Sequence, residues 1–136
     1  MDRVTRKALI ERIRADADRI CEHFGLEYAS IEPERANVKR RYGICYSDGS
    51  IKIRLRHVHT GQPLKYSSLV STLCHELAHL EHFDHSPRFQ AYYLKLLQWA
   101  RKEGLYQPGR PKKQTLKAKP HLKKPVQDEA QQLSLF

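Results

Sequence analysis

The residues best equipped for chemistry lie between Cys74 and His85, in the run Cys-His-Glu-Leu-Ala-His-Leu-Glu-His-Phe-Asp-His. His75 and His79 are four apart, so on a helix they stack on one face and can point two imidazoles at one ion. Glu76, one step round, can reach a water bound to it. A zinc hydrolase requires this set: neutral nitrogen ligands, an open coordination position, and a carboxylate to take the water's proton.

Two imidazoles do not complete a catalytic site. His82 continues the same face seven residues beyond His75, which at ~1.5 Å rise per residue is ~10 Å along the axis, too far for one ion with bonds of ~2 Å. A third ligand has to come from chain that has turned back. His85 is preferred, because Asp84 and Pro87 flank it and Pro87 cannot continue the first helix but can open a second. Glu103, from the next helix, ranks behind His85, and His82 ranks last. Two surface histidines on an amphipathic helix would also produce the His-Glu-x-x-His pattern. Here Leu69, Val70, Leu73, Leu77, Ala78 and Leu80 form a clean opposite face, and the third histidine lies past a helix stop. A purely structural zinc is disfavoured, since such sites close with four Cys/His ligands and rarely set a glutamate beside the metal.

Several elements must position these groups. Residues 3–24 read as a helix with Ile10, Ile13, Ala17, Ile20 and Phe24 on one stripe and Gly25 as its stop. Residues 27–32 suggest a short strand ending at Pro33. Tyr42–Tyr46, the turn Ser47-Asp48-Gly49-Ser50, and Ile51–Val58 read as a β-hairpin. Within it Ile51, Ile53 and Leu55 alternate with Lys52, Arg54 and Arg56, predicting one apolar and one basic face. Ser67 or Ser68 can cap the metal helix. Ser86-Pro87 opens a further helix to about Glu103, with Phe89, Tyr93, Leu96, Leu97 and Ala100 facing the core. Trp99 fits the core edge, and Tyr92 or Tyr93 is a candidate for polarising a substrate carbonyl. The expectation is an α+β fold: N-terminal helix, small mainly antiparallel sheet with a hairpin, active-site helix, C-terminal helix, then a disordered tail.

The 136 residues suit one domain with a modest core, and the formal net charge of +10 suggests an anionic partner such as nucleic acid. Three cysteines without CxxC spacing indicate neither a disulfide framework nor a zinc ribbon. No run approaches a membrane span and no signal-peptide core is visible, so a cytoplasmic protein without membrane contact is expected. Arg40, Arg41, Lys52, Arg54 and Arg56 are candidate nucleic-acid contacts. From Leu105 the composition changes: Arg110 and six lysines stand against Asp128 and Glu129, punctuated by prolines. Lys112, Lys113, Lys123 and Lys124 are further candidate contacts, binding phosphate without sequence preference.

The chain closes on Gln132-Leu133-Ser134-Leu135-Phe136, large apolar side chains at the end of a polar tether. This peptide resembles the bacterial β sliding-clamp binding motif, whose glutamine and Leu-Phe pair fill a groove on the clamp. Residues 105–131 could span up to ~90 Å at ~3.3 Å per residue, letting a clamp-bound molecule search nearby DNA. The organisation read here is a catalytic domain over 1–104, a basic linker over 105–131 and a clamp-binding peptide over 132–136.

The central stretch resembles the small SprT-like and YgjP-like zinc metallopeptidases. The carriers are Arg41-Tyr42-Gly43-Ile44-Cys45, the Ile51–Leu55 strand, and His75-Glu76-Leu77-Ala78-His79 followed by His85-Ser86-Pro87-Arg88-Phe89. Tyr42 and Ile44 depart from the family's usual Trp and Ser, and the tail lacks the zinc ribbon of the SprT type. The resemblance implies a minimal zincin fold, one Zn²⁺ on His75, His79 and His85, and Glu76 as general base. Relatives of the SprT type include proteases that degrade proteins crosslinked to DNA. That implies an endopeptidase acting on DNA-associated proteins in the nucleoid, brought there by the β sliding clamp in a bacterial, phage or plasmid setting. Two other readings are a non-proteolytic DNA- and clamp-binding adaptor and a peptidase on soluble substrates.

Overall fold

A computed structural model describes residues 1–109. Lys112, Lys113, Lys123, Lys124 and the Gln132–Phe136 peptide lie outside the described residues.

The first helix, α1 (Arg3–Phe24), begins where Asp2 accepts a hydrogen bond from the Thr5 amide (2.7 Å), satisfying one of the orphan donors of the first turn. It ends at Gly25, whose φ of 69° is the left-handed conformation that glycine adopts without strain. Ile10, Ile13, Ala17 and Ile20 recur at helical spacing and are buried, so this stripe fixes which face meets the core.

Three strands follow: β1 (Ser30–Pro33), β2 (Gly43–Cys45) and β3 (Ser50–Ile53), in spatial order β1-β3-β2. The expected hairpin is β2–β3, antiparallel, with Cys45 opposite Ile51. Its turn is held by the Ser50 amide donating to Asp48 Oδ1 (2.9 Å) and by Gly49 at φ 91°. The sheet is mixed, because β1 joins β3 in parallel, Ile31 opposite Ile51. Residues 34–42 carry the chain from β1 past β3 to its far side, so β2 forms an edge.

Strand β3 stops at Ile53, five residues short of the predicted Val58. Ile51, Ile53 and Leu55 are buried as their alternation predicts, but the basic face is not continuous. Arg54 is only 5% exposed. Its guanidinium donates to the carbonyls of Val38 and Arg41, and its amide to Tyr42 O (2.7 Å). Residues 34–42 have few ladder partners, so those carbonyls need a donor from elsewhere, and the arginine turns inward to supply it. Arg54 is therefore a structural group, and the sequence-based assignment of it as a nucleic-acid contact is corrected.

The next helix, α2 (Tyr66–Ala78), has Lys65 at its N-cap and no side-chain cap, contrary to the expectation for Ser67 or Ser68. Its start is instead tied to α1. The Tyr66 hydroxyl donates to Asp16 (2.6 Å), and Arg12 lies 3.5 Å over the Tyr66 ring. Every residue from Leu69 to Ala78 is buried, between α1, the sheet and the last helix. The helix stops at Ala78, and residues 79–81 form a turn. The last helix, α3 (Pro87–Lys102), opens as predicted, with Ser86 Oγ accepting from the Phe89 amide and Pro87 in the first turn. Its stripe of Phe89, Tyr93, Leu96, Leu97 and Ala100 packs on α2. Trp99 sits at the core edge, stacked on His23 at 4.6 Å. The folded unit runs two residues past the expected boundary at Gly104: Leu105 packs against the core and Tyr106 is 3% exposed.

Candidate active site

The buried length of α2 carries His75 and Glu76 into the interior, 0% and 1% exposed, with His79 at the helix end. The turn after His79 and the Ser86-Pro87 start of α3 bring His85 back over them. His85 Nε2 lies 3.2 Å from His79 Nε2 and 3.4 Å from His75 Nε2. Three imidazole nitrogens aimed at one point repel unless a cation sits among them. Tetrahedral bonds of about 2.1 Å separate ligand atoms by about 3.4 Å, so the spacing fits a zinc-sized ion.

Protonation supports the same use. The His82 carbonyl accepts from His79 Nδ1 (3.1 Å), which fixes the tautomer and leaves the lone pair of Nε2 facing the cluster. Burial, with His79 and His85 adding to it, pushes the His75 pKa down to about 3, so the ring is neutral and can ligate. Burial also lowers His79, partly offset by its hydrogen bond to the His82 carbonyl. Phe89 braces all three rings, with centroids 4.8 Å from His75, 4.3 Å from His79 and 5.1 Å from His85.

Geometry decides among the three candidates for the third ligand. His85 joins His75 and His79 in a cluster whose ligand atoms lie within 4.8 Å of one another. Glu103 sits at the far end of α3, paired with Arg19 at 3.1 Å. His82 lies beyond the helix, its ring against Tyr92 and its carbonyl on His79.

Glu76 lines a cleft of about 300 Å³ with His79, His85, Phe83, Arg41 and the β2 residues Gly43, Ile44 and Cys45. Its Oε2 is buried without a hydrogen-bond partner. Burial pushes the Glu76 carboxyl up to about 8, against a downward pull from Arg41. A carboxyl in that state binds a proton readily near neutral pH, as a general base must. A cation among the histidines would draw it back down.

The remaining candidates are dispersed. Arg41 forms an ion pair with the buried Glu34 carboxylate (2.7 Å) and faces the cleft. Arg40 is exposed, and Lys52 and Arg56 are half-buried. The Tyr93 hydroxyl is engaged with Ser71 Oγ (2.7 Å) and Tyr92 packs on Phe24 and His82, so neither tyrosine lines the cleft.

Three contributors to the cleft were given no part in shaping it by the sequence, although Gly43 and Arg41 stand in the stretch that carries the resemblance. Gly43 admits no side chain: a Cβ there would lie 2.8 Å from Thr72 Cγ2, 3.0 Å from Glu76 Oε2 and 3.1 Å from Lys52 O. The second is the Arg41–Glu34 pair. The third, Phe83, is 56% exposed at the cleft mouth with its ring 5.7 Å from that of His79. A glycine between aromatic and β-branched residues, just ahead of a turn, was the available signal for Gly43.

Among solved structures, a mutant of Wss1 from Saccharomyces cerevisiae is similar, with a TM-score of 0.63 at 20% identity over 73% of this chain and 82% of that one. Wss1 from S. pombe gives a TM-score of 0.59 at 24% identity, covering 68% of this chain and 78% of that one. At these identities the likeness shows the fold alone. A search of curated proteins found no match. A family model for the YgjP-like metallopeptidase domain matches residues 1–103, where the histidine cluster, Glu76 and the cleft all lie. The chain belongs to the YgjP-like metallopeptidase family.

Proposed function

We propose that this metallopeptidase is a zinc-dependent endopeptidase that acts on DNA-associated proteins, of the type that removes proteins crosslinked to DNA. The observation that carries the peptidase reading is the convergence of three histidine Nε2 atoms beside the buried Glu76, whose Oε2 has no hydrogen-bond partner, at a cleft lined by Glu76, His79 and His85. His75, His79 and His85 would hold the ion. Bound zinc supplies Lewis acidity there, acidifying water at neutral pH and polarising a carbonyl oxygen.

The chain's own residues do the rest. Glu76 takes a proton from the attacking water and delivers it to the leaving amine. Burial holds its carboxylate in place and keeps bulk water from competing for the proton. Among the described residues, β2 has a strand partner on one side only, so its outer edge can align an extended peptide by backbone hydrogen bonding. Ile44 and Phe83 give the cleft an apolar wall for a substrate side chain.

The DNA-linked part rests on the strongly basic chain and on the resemblance to SprT-type proteases. Recruitment by the β sliding clamp through Gln132–Phe136 rests on the peptide sequence alone. No helix among the described residues is long and apolar enough to cross a membrane.

The test is proteolysis of a DNA-binding protein by the zinc-loaded full chain, with and without DNA, beside Glu76→Gln. The expected result is DNA-dependent cleavage that disappears in the variant while zinc binding persists. No cleavage in any lane, with zinc bound, would reject the peptidase reading in favour of an adaptor. Clamp recruitment is read separately, from binding of immobilised clamp by the wild type and by Leu135→Ala/Phe136→Ala.

A further inference from the structure

A second concave surface lies outside the cleft, where the first turns of α1 meet β1 and β3. It is a groove of about 510 Å³ that gathers Arg3, Arg6 and Lys7 from α1, Arg35 from the segment after β1, and Lys52 from β3. An adjoining hollow of about 90 Å³ shares Arg6 and Arg35 and adds Arg56. Arg3, Arg6, Lys7 and Arg35 are exposed and Lys52 is half-buried.

Two carboxylates also line the groove, and both are already neutralised from outside it. Arg14 binds Glu32 at 2.9 Å, and Arg41 binds Glu34 at 2.7 Å. The five groove cations themselves have no ion-pair partner among the described residues. Five like charges drawn from three elements repel one another. The fold holds them together by core packing, since Ile10 and Ile31 beneath them are buried. A concave cluster of this kind concentrates its field outward and is relieved by an anion.

We propose that this groove seats the phosphate backbone of nucleic acid. Its chemistry favours that occupant over an acidic protein or a lipid surface. A protein partner is normally anchored by aromatic or aliphatic side chains in the middle of the interface. No aromatic residue lines this groove, and its two apolar side chains are Ile10, 5% exposed, and the half-buried Pro33, too little for such an anchor. Without a stacking ring, contact is limited to phosphates, so binding is independent of base sequence. Arginine forks and lysine ammoniums at several points along a trough suit a run of phosphates better than one isolated anion.

The position matters for the peptidase. Glu34 lines the groove, and its partner Arg41 lines the cleft, so one ion pair forms the wall between the two. Nucleic acid in the groove would run past the peptidase cleft, presenting bound proteins to it. This deepens the DNA-associated reading above, but its test does not depend on proteolysis.

The test measures binding of the full zinc-loaded chain to a fluorescent 20-base-pair duplex across a salt series. Wild type is compared with Arg6→Gln/Lys52→Gln and with a control of equal charge change on α3, Lys95→Gln/Lys102→Gln. Removing two phosphate contacts lowers the slope of log K against log salt by about 2. Affinity at 0.1 M salt then falls roughly 60-fold if the curves converge at 1 M, while the control changes little. Cleavage of a short unstructured peptide without DNA stays at the wild-type rate in both variants. Equal loss in the two variants would show a net-charge effect and overturn the site. Unchanged DNA binding in the groove variant would overturn it too. So would anionic vesicles or polyglutamate competing as well as duplex DNA.

Discussion

Replacing Gly43 with alanine tests whether the β2 strand positions Glu76, the proposed general base. The added Cβ meets Thr72 Cγ2 at 2.8 Å, against the 3.4–4 Å of ordinary contact, and Glu76 Oε2 at 3.0 Å. The obstacles are a helix side chain, the Glu76 carboxylate and the Lys52 carbonyl of β3, so no single flexible neighbour can yield. Overpacking of this kind costs about 1–3 kcal/mol. For a domain of this size that lowers Tm by roughly 5–20 °C. Relief also pushes Glu76 aside, and a misplacement approaching ~1 Å at the reacting centre can cost ~100-fold in kcat. None of the three histidines is touched, so zinc affinity should stay at the wild-type value. The assay is steady-state cleavage of a fluorogenic peptide, with zinc content and thermal melts in parallel. Gly43→Ala/Thr72→Ser removes the methyl that sits closest and should restore much of the Tm, but little of kcat, because the carboxylate contact remains. Wild-type kcat and Tm in Gly43→Ala would refute the reasoning outright. Loss of zinc together with activity would show that β2 supports the metal site and not Glu76.

Arg54→Met should cost about 3 kcal/mol in urea unfolding, because the carbonyls of Val38 and Arg41 lose a charged donor; a change under about 0.5 kcal/mol, the range of ordinary surface substitutions, would return Arg54 to the surface role that its strand pattern suggested. Phe89→Ala should destabilise by about 3–5 kcal/mol, and loosening the histidine rings should weaken zinc binding by roughly 10–100-fold in a chelator competition. The metal-free protein should show a pH signature of Glu76. Its folded-state pKa is raised from 4.5 to about 8, so its contribution is present below 4.5 and lost as pH rises through 8. His75, depressed from 6.5 to about 3, acts in the opposite direction and only below 6.5. Between pH 6.5 and 8 the metal-free wild type should therefore lose up to ~2 kcal/mol that Glu76→Gln keeps, and denaturant midpoints in the presence of chelator read the difference.

Much of this protein was legible in the sequence, because much of it is specified locally. The α1 stripe from Ile10 to Ile20 with its Gly25 stop, the Asp48-Gly49 turn, and the Ser86-Pro87 helix start are each written within a few residues. The same holds for the pairing of His75 with His79 and the place of Glu76 beside them, since one helical turn fixes all three.

Other features depended on how distant segments meet. The sequence ranked His85 ahead of Glu103 and His82 as the third ligand, and the return of the chain at the start of α3 brings His85 onto His75 and His79. Alternation placed Arg54 on a basic face, but its guanidinium turns inside to donate to the carbonyls of Val38 and Arg41. A hairpin was readable, whereas the parallel docking of β1 was not, because strand order is set by where residues 34–42 cross. Gly43 became a requirement only once β2 lay against α2, and the basic groove only once α1 lay across β1 and β3. Periodicity, caps and turns act over a few residues and can be read along the chain. Crowding, shared carbonyl partners and clustered charge arise from packing between remote segments, so they required the tertiary structure.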